Sequence, residues 1–98
     1  MTDDFRIAEA RRIRLRLLQA LAEQPGGSWT LSMLMRHLTL LGYRKSETFV
    51  LNQLKWLEGE VLAVRLVDDT IATILIAGRQ HLDGSKILSG VDELAEES

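Results

Sequence analysis

The stretch Thr30-Leu-Ser-Met-Leu-Met-Arg-His-Leu-Thr-Leu-Leu-Gly-Tyr-Arg-Lys-Ser-Glu-Thr-Phe-Val-Leu-Asn-Gln-Leu-Lys-Trp-Leu-Glu58 decides the fold. In its first half Leu31, Leu34, Met35, Leu38 and Leu41 recur at the three- and four-residue intervals of one helix face. Thr30 is a suitable N-cap, because its hydroxyl can accept from a free amide of the first turn. Gly42 stands where a left-handed C-terminal cap is wanted. Four residues, Gly42 to Lys45, then lead to Ser46, a second N-cap. Glu47 follows at the positive end of the next helix dipole. That helix is predicted from Glu47 to about Glu58, with Val50, Leu51, Leu54 and Leu57 as its apolar arc. Two helices joined by a short turn containing glycine make a helix-turn-helix unit.

Upstream, a periodic segment runs from about Asp4 to Glu23. Ile7, Ala10, Ile13, Leu17, Leu18 and Leu21 fall within about 140° of arc, an amphipathic stripe. Arg12, Arg16, Glu9 and Gln19 lie opposite, while Arg14 falls inside the stripe. Pro25-Gly26-Gly27-Ser28 ends the helix, since proline lacks the amide that continues the ladder. Downstream the period changes. Leu62-Ala-Val-Arg-Leu-Val67 and Thr70-Ile-Ala-Thr-Ile-Leu-Ile76 are rich in branched residues and flank Asp68-Asp69, which reads as a β-hairpin. Its turn has no glycine to supply the positive φ that such turns prefer. Residues Ala77 to Asp83 have room for one or two helical turns. The expected fold is mainly α with a small β-hairpin: a winged helix-turn-helix, three core helices plus a two-stranded wing. It occupies residues 1–83, and residues 84–98 form an acidic, mobile tail. Ile87, Leu88, Val91 and Leu94 keep a helix-compatible spacing in that tail, enough to dock on something.

Composition narrows the function. The chain has 98 residues, 46% hydrophobic and 27% charged, which fits one globular domain. With no cysteine there is no disulfide framework and no thiolate chemistry. No apolar run approaches the ~18 residues of a membrane span. Met1-Thr-Asp-Asp-Phe-Arg is acidic and polar, unlike a secretory signal, so a cytoplasmic location and no membrane partner are expected. His37 and His81 have no third ligand near them, so no metal and no cofactor are expected. There is no nucleophile–base pair and no glycine-rich phosphate loop. The pairs Asp68/Asp69 and Asp92/Glu93 fall on a turn and a tail, which speaks against an enzyme.

Ser46-Glu-Thr-Phe-Val-Leu-Asn-Gln-Leu-Lys-Trp-Leu-Glu58, followed by Val61-Leu62 and a strand, resembles the recognition-helix segment of ArsR-type winged-helix regulators. Leu54-Lys55-Trp56-Leu57-Glu58 is the nearest part, and Ile76-Ala77-Gly78-Arg79 through Leu82 resembles the exit from the wing into a helix. The chain is also similar to small winged-helix proteins of Mu-like phages and prophages, which open on a stretch like Asp3-Asp-Phe-Arg-Ile-Ala-Glu-Ala-Arg-Arg12. The resemblance spans residues 3 to about 91. Two features depart from it. The family's glycine before the first wing strand is Val61 here, with Gly59 as a possible replacement cap. The cysteine or clustered acid and histidine ligands of the metal-sensing members are absent.

The resemblance implies DNA binding in transcriptional control, of phage or prophage type, with double-stranded DNA as the partner. On the third helix, with Leu54 inward, Thr48, Asn52 and Lys55 point outward, flanked by Phe49, Gln53 and Trp56. Asn and Gln can pair with adenine edges, and Thr can contact either base. Arg44, Lys45, Ser46 and Lys55 would hold the helix at a major groove, with Arg12 and Arg16 as further phosphate contacts. The net charge of −2 hides two opposed parts. Residues 5–57 carry nine Lys/Arg against three Glu, net +6, while residues 58–98 carry three against nine acids, net −6. Asp68-Asp69 at the wing tip would repel phosphates, leaving the helices to bind. The alternative is a winged-helix module that binds protein rather than DNA. Arg14 must snorkel, meet a carboxylate or touch another chain, and the last option makes a homodimer through the first helix. Arg14, Phe49 and Trp56 are then the candidate protein interface. A continuous positive band favours DNA, and an apolar patch at Phe49 and Trp56 favours protein.

Overall fold

The computed structural model describes residues 2–94 of the chain. It is mainly helical with a small antiparallel sheet, the winged-helix arrangement with one strand more than expected. In order, α1 spans Thr2–Ala22, β1 Ser28–Thr30, α2 Leu31–Leu40, α3 Glu47–Gly59, β2 Val64–Val67, β3 Ile71–Ile74 and α4 Ile76–Asp83.

The caps of the helix-turn-helix are formed as the sequence requires. The Thr30 hydroxyl accepts from the Met33 amide at 3.2 Å, and the Ser46 hydroxyl accepts from the Phe49 amide at 3.1 Å. Gly42 takes φ +99°, and the Tyr43 amide turns back to the Leu38 carbonyl at 2.8 Å. Leu31, Leu34 and Leu38 of α2 and Val50, Leu54 and Leu57 of α3 are buried together with α1. Leu41 is an exception to the expected stripe. It caps α2 and stays exposed.

α1 runs through the middle of the fold and packs on α2, α3 and α4. From Ile13 onward it is buried on nearly every side, including Leu15 and Ala20, which lie off the predicted arc. Residues 3–8, its first two turns, are all exposed. There Ile7, expected in the core, is 58% exposed. The stripe's periodicity matches burial from Ile13 to Leu21, but Ile7 has no neighbour that buries it.

The sheet order is β1-β3-β2, with both neighbours antiparallel. β1 is too short to carry a strand period of its own. Only pairing makes it a strand: Ser28, Trp29 and Thr30 face Thr73, Ala72 and Ile71. The hairpin pairs Val64 with Ile74 and Val67 with Ile71. Asp68 and Asp69 both adopt φ near +50° (53° and 52°), and the Thr70 amide closes the turn on the Val67 carbonyl at 3.0 Å. Aspartate is among the few residues other than glycine that enter this region readily, so the turn forms without glycine. Gly59 does not act as the left-handed cap before the wing. Leu62 takes that conformation instead, with φ 53°.

Beyond α4 the chain returns to α1. Leu88 and Val91 join the same core as the helices. His81 of α4 is buried and fastens this return. The Leu88 amide donates to its Nδ1 at 3.0 Å, so Nε2 carries the proton and donates to the Asp92 carbonyl at 2.8 Å. The Asp92 amide in turn donates to the Arg11 carbonyl at 3.1 Å. The stretch 88–92 is thus fastened to the fold through Leu88, Gly90, Val91 and Asp92 rather than free, which corrects that part of the expected mobile tail, while residues 84–87 are exposed and residues 95–98 lie outside the described residues. Among the described residues, no helix is long and apolar enough to cross a membrane.

Candidate nucleic-acid interface

α3 packs inward on α1, α2 and β2 and leaves one face uncovered. Thr48, Asn52 and Lys55 lie on that face and are exposed, as are Glu47 at the start of α3 and Arg44 in the preceding turn. Three of the candidate base-reading and phosphate residues (Thr48, Asn52 and Lys55) therefore stand where the sequence placed them. The wing is fixed to the same helix. The Leu66 amide of β2 donates to Glu58 Oε2 at 3.0 Å, and Lys55 Nζ lies 3.5 Å from Asp69 Oδ2 at the wing tip. The Glu58 link gave no sequence signal, since its partner is a backbone amide eight residues on.

Gln53 is placed differently. It is only 9% exposed, and its Oε1 accepts from Arg14 Nε at 2.8 Å. It belongs to the seam between α1 and α3 and offers nothing to a base edge. Arg14 also donates through Nη1 to the Gly90 carbonyl at 2.9 Å, and its guanidinium lies 3.8 Å from the centre of the Trp56 ring. Burial lowers its pKa, with the neighbouring Arg11 charge adding to the effect. Arg14 thus solves its burial inside the chain, and the reason for placing it at a dimer contact disappears. Trp56 is half-buried beneath the returning segment. Gly90, at φ +89°, rests so close that a Cβ would come within 2.5 Å of the ring. Phe49 is also half-buried, with Lys45 Nζ 5.2 Å from its ring centre. The two aromatics are partnered within the molecule and do not form an open apolar patch.

The cations do not make a continuous positive band either. Lys45 Nζ is 2.6 Å from Glu9 Oε1, joining the helix-turn-helix to α1. Arg12 Nε is 2.8 Å from Asp92 Oδ2, and that hydrogen bond raises the Arg12 pKa. Arg16 donates to Gln19 on its own helix at 3.0 Å. With Lys55 near Asp69, three of the five candidate cations in the expected band face carboxylates. Arg44 makes no ion pair among the described residues. Also among the described residues, no group of three or more His, Asp or Glu is arranged to hold a metal ion. His37 sits beside Trp29, ring centres 6.0 Å apart.

Comparison with protein-family models, with curated proteins and with solved structures finds no match for the chain.

Proposed function

We propose that this chain binds double-stranded DNA by seating α3 in a major groove, as a transcriptional regulator of the phage or prophage kind its sequence resembles. One observation carries the reading. Thr48, Asn52 and Lys55 occupy an uncovered face of a capped helix in a helix-turn-helix, with Arg44 exposed just ahead of it. Such a face is the part of this fold that enters a groove. Asn52 supplies the adenine-type pairing and Thr48 a shorter contact, while Arg44, Lys45 and Lys55 reach phosphates. The Lys55–Asp69 contact is long and exposed, so it holds Lys55 only weakly and a phosphate can replace the carboxylate. The acidic wing tip stays off the backbone, and Arg12, paired with Asp92, contributes little.

A surface of this kind makes few phosphate contacts. Three of them give a salt slope of about −3 in log K against log salt. The test is an anisotropy titration of the full chain against a randomised duplex pool at ~50 and ~200 mM salt, followed by selection of bound sequences. Asn52→Ala should relax the selected sequence, and Arg44→Ala should weaken all duplexes alike and reduce the slope by about 1. Absence of binding at ~50 mM salt, where phosphate contacts are strongest, discards the proposal. The alternative is a module for protein contacts, and one observation favours it. Phe5 and Ile7 are both more than half exposed on the first two turns of α1.

A further inference from the structure

We infer that residues 88–92 are a strap that acid releases, held against α1 and α3 only while the His81 ring is neutral. The ring is 5% exposed, and both of its nitrogens are in use. Nδ1 accepts from the Leu88 amide at 3.0 Å, and Nε2 donates to the Asp92 carbonyl at 2.8 Å. One nitrogen accepts while the other donates, which only the neutral ring can do. A second proton has to go on Nδ1. There it would point at the Leu88 N–H, setting two donors face to face and burying a charge beside them. The ring can take that proton once the strap has left.

The charged groups on the elements around the ring do not offset it. On α4, the Asp83 carboxylate accepts from Ser85, and Arg79 is exposed. On the return, the Asp92 carboxylate is 2.8 Å from Arg12 Nε, while Lys86 and Glu93 are exposed. On α1, Arg11 holds the Asp92 amide by its carbonyl, and Arg14 donates to Gln53 and to the Gly90 carbonyl. Among the described residues, no carboxylate hydrogen-bonds to the His81 ring. The chain can swing away from the end of α4, because Gly84 takes φ +86° and residues 84–87 are exposed. Release lifts Gly90 from the Trp56 ring and frees the guanidinium of Arg12. Trp56 stands one turn beyond Asn52 on α3, so the strap links proton uptake to the edge of that helix, whatever α3 binds.

The sign follows from the proton count. The closed state holds a neutral ring and the open state takes up a proton, so opening is favoured as pH falls. With the open ring titrating at the ordinary histidine value of ~6.5, the opening constant rises about 30-fold between about pH 8 and pH 5. Native-state hydrogen exchange of the full chain, read by NMR at both pH values, tests this. Protection of the Leu88 and Asp92 amides, corrected for intrinsic rate, should fall about 30-fold at the acid pH, while that of Leu54 and Leu57 in α3 holds. His81→Gln keeps a side-chain acceptor and donor but does not titrate, so the pH dependence should vanish. His37→Gln removes the other histidine and should leave it intact. The nitrogen shifts of the His81 ring give a check without substitution: the Nε2–H tautomer at the higher pH, then protonation in step with the loss of Leu88 protection. Equal Leu88 protection at both pH values, a fall shared equally by α3, a fall that survives His81→Gln or disappears in His37→Gln, or an Nδ1–H tautomer would each overturn the inference. No DNA enters the measurement, so it stands or falls apart from the reading of α3.

Discussion

Arg14→Met asks whether the half-buried arginine of α1 serves this fold or another chain. The substitution keeps most of the apolar stem and removes the guanidinium. Three interactions go with it: the bonds to Gln53 Oε1 and the Gly90 carbonyl, and the stacking on Trp56. Stranding the buried Gln53 oxygen costs about 1–3 kcal/mol. The cation–π contact contributes about 1 kcal/mol at a half-buried site. Against these, the charge no longer has to be desolvated, the same effect that lowers the Arg14 pKa. The net expectation is a loss of about 2 kcal/mol, a large share of the roughly 5–15 kcal/mol that stabilises a domain of this size. Urea unfolding followed by far-UV circular dichroism measures it, with an accompanying fall in Tm of about 10 °C. Pairing Arg14→Met with Gln53→Leu should recover at least half of the loss, because both polar partners are then removed together. The refuting result is specific. If Arg14→Met changes stability by less than about 0.5 kcal/mol while abolishing self-association, Arg14 works between chains and the internal triad is not its role.

Two further predictions concern the wing and α4. Leu62 is 67% exposed yet held at φ 53°, so Leu62→Gly should stabilise the chain by about 0.5–1 kcal/mol in the same urea assay. A loss of stability would mean that the exposed leucine makes a contact worth more than the strain. At the end of α4, Asp83 accepts from both the Ser85 hydroxyl and the Ser85 amide, and these bonds hold its pKa below the ordinary value. A depressed carboxylate contributes stability that is complete above its unfolded pKa and is lost as pH falls through the lower, folded one. The Ser85 amide resonance should therefore shift in an acid titration with a midpoint below the normal aspartate range, and Asp83→Asn should remove that step.

Local chemistry determines much of the frame. Thr30, Gly42 and Ser46 act on groups within four residues of themselves, so the helix-turn-helix was legible as text. The hairpin is legible for the same reason, with Asp68 and Asp69 taking the positive φ that glycine usually supplies in such a turn. The outward placement of Thr48, Asn52 and Lys55 also followed from the apolar arc of α3.

Tertiary structure decided what depended on distant partners. β1 has three residues, too few to show a period, and exists as a strand only because β3 lies beside it. Gln53 and Trp56 looked outward from their own helix, but Arg14 and Gly90, 39 residues earlier and 34 later in the chain, close over them. Ile7 looked inward by periodicity, yet no neighbour buries it. The charge contrast between the two parts of the chain was correct as arithmetic, but folding returns Asp92 and Asp69 to Arg12 and Lys55 and breaks the positive band. Periodicity and capping are short-range and depend on residue type and spacing, so the sequence determines them. Burial and pairing depend on which surface arrives opposite, and only the assembled fold decides that.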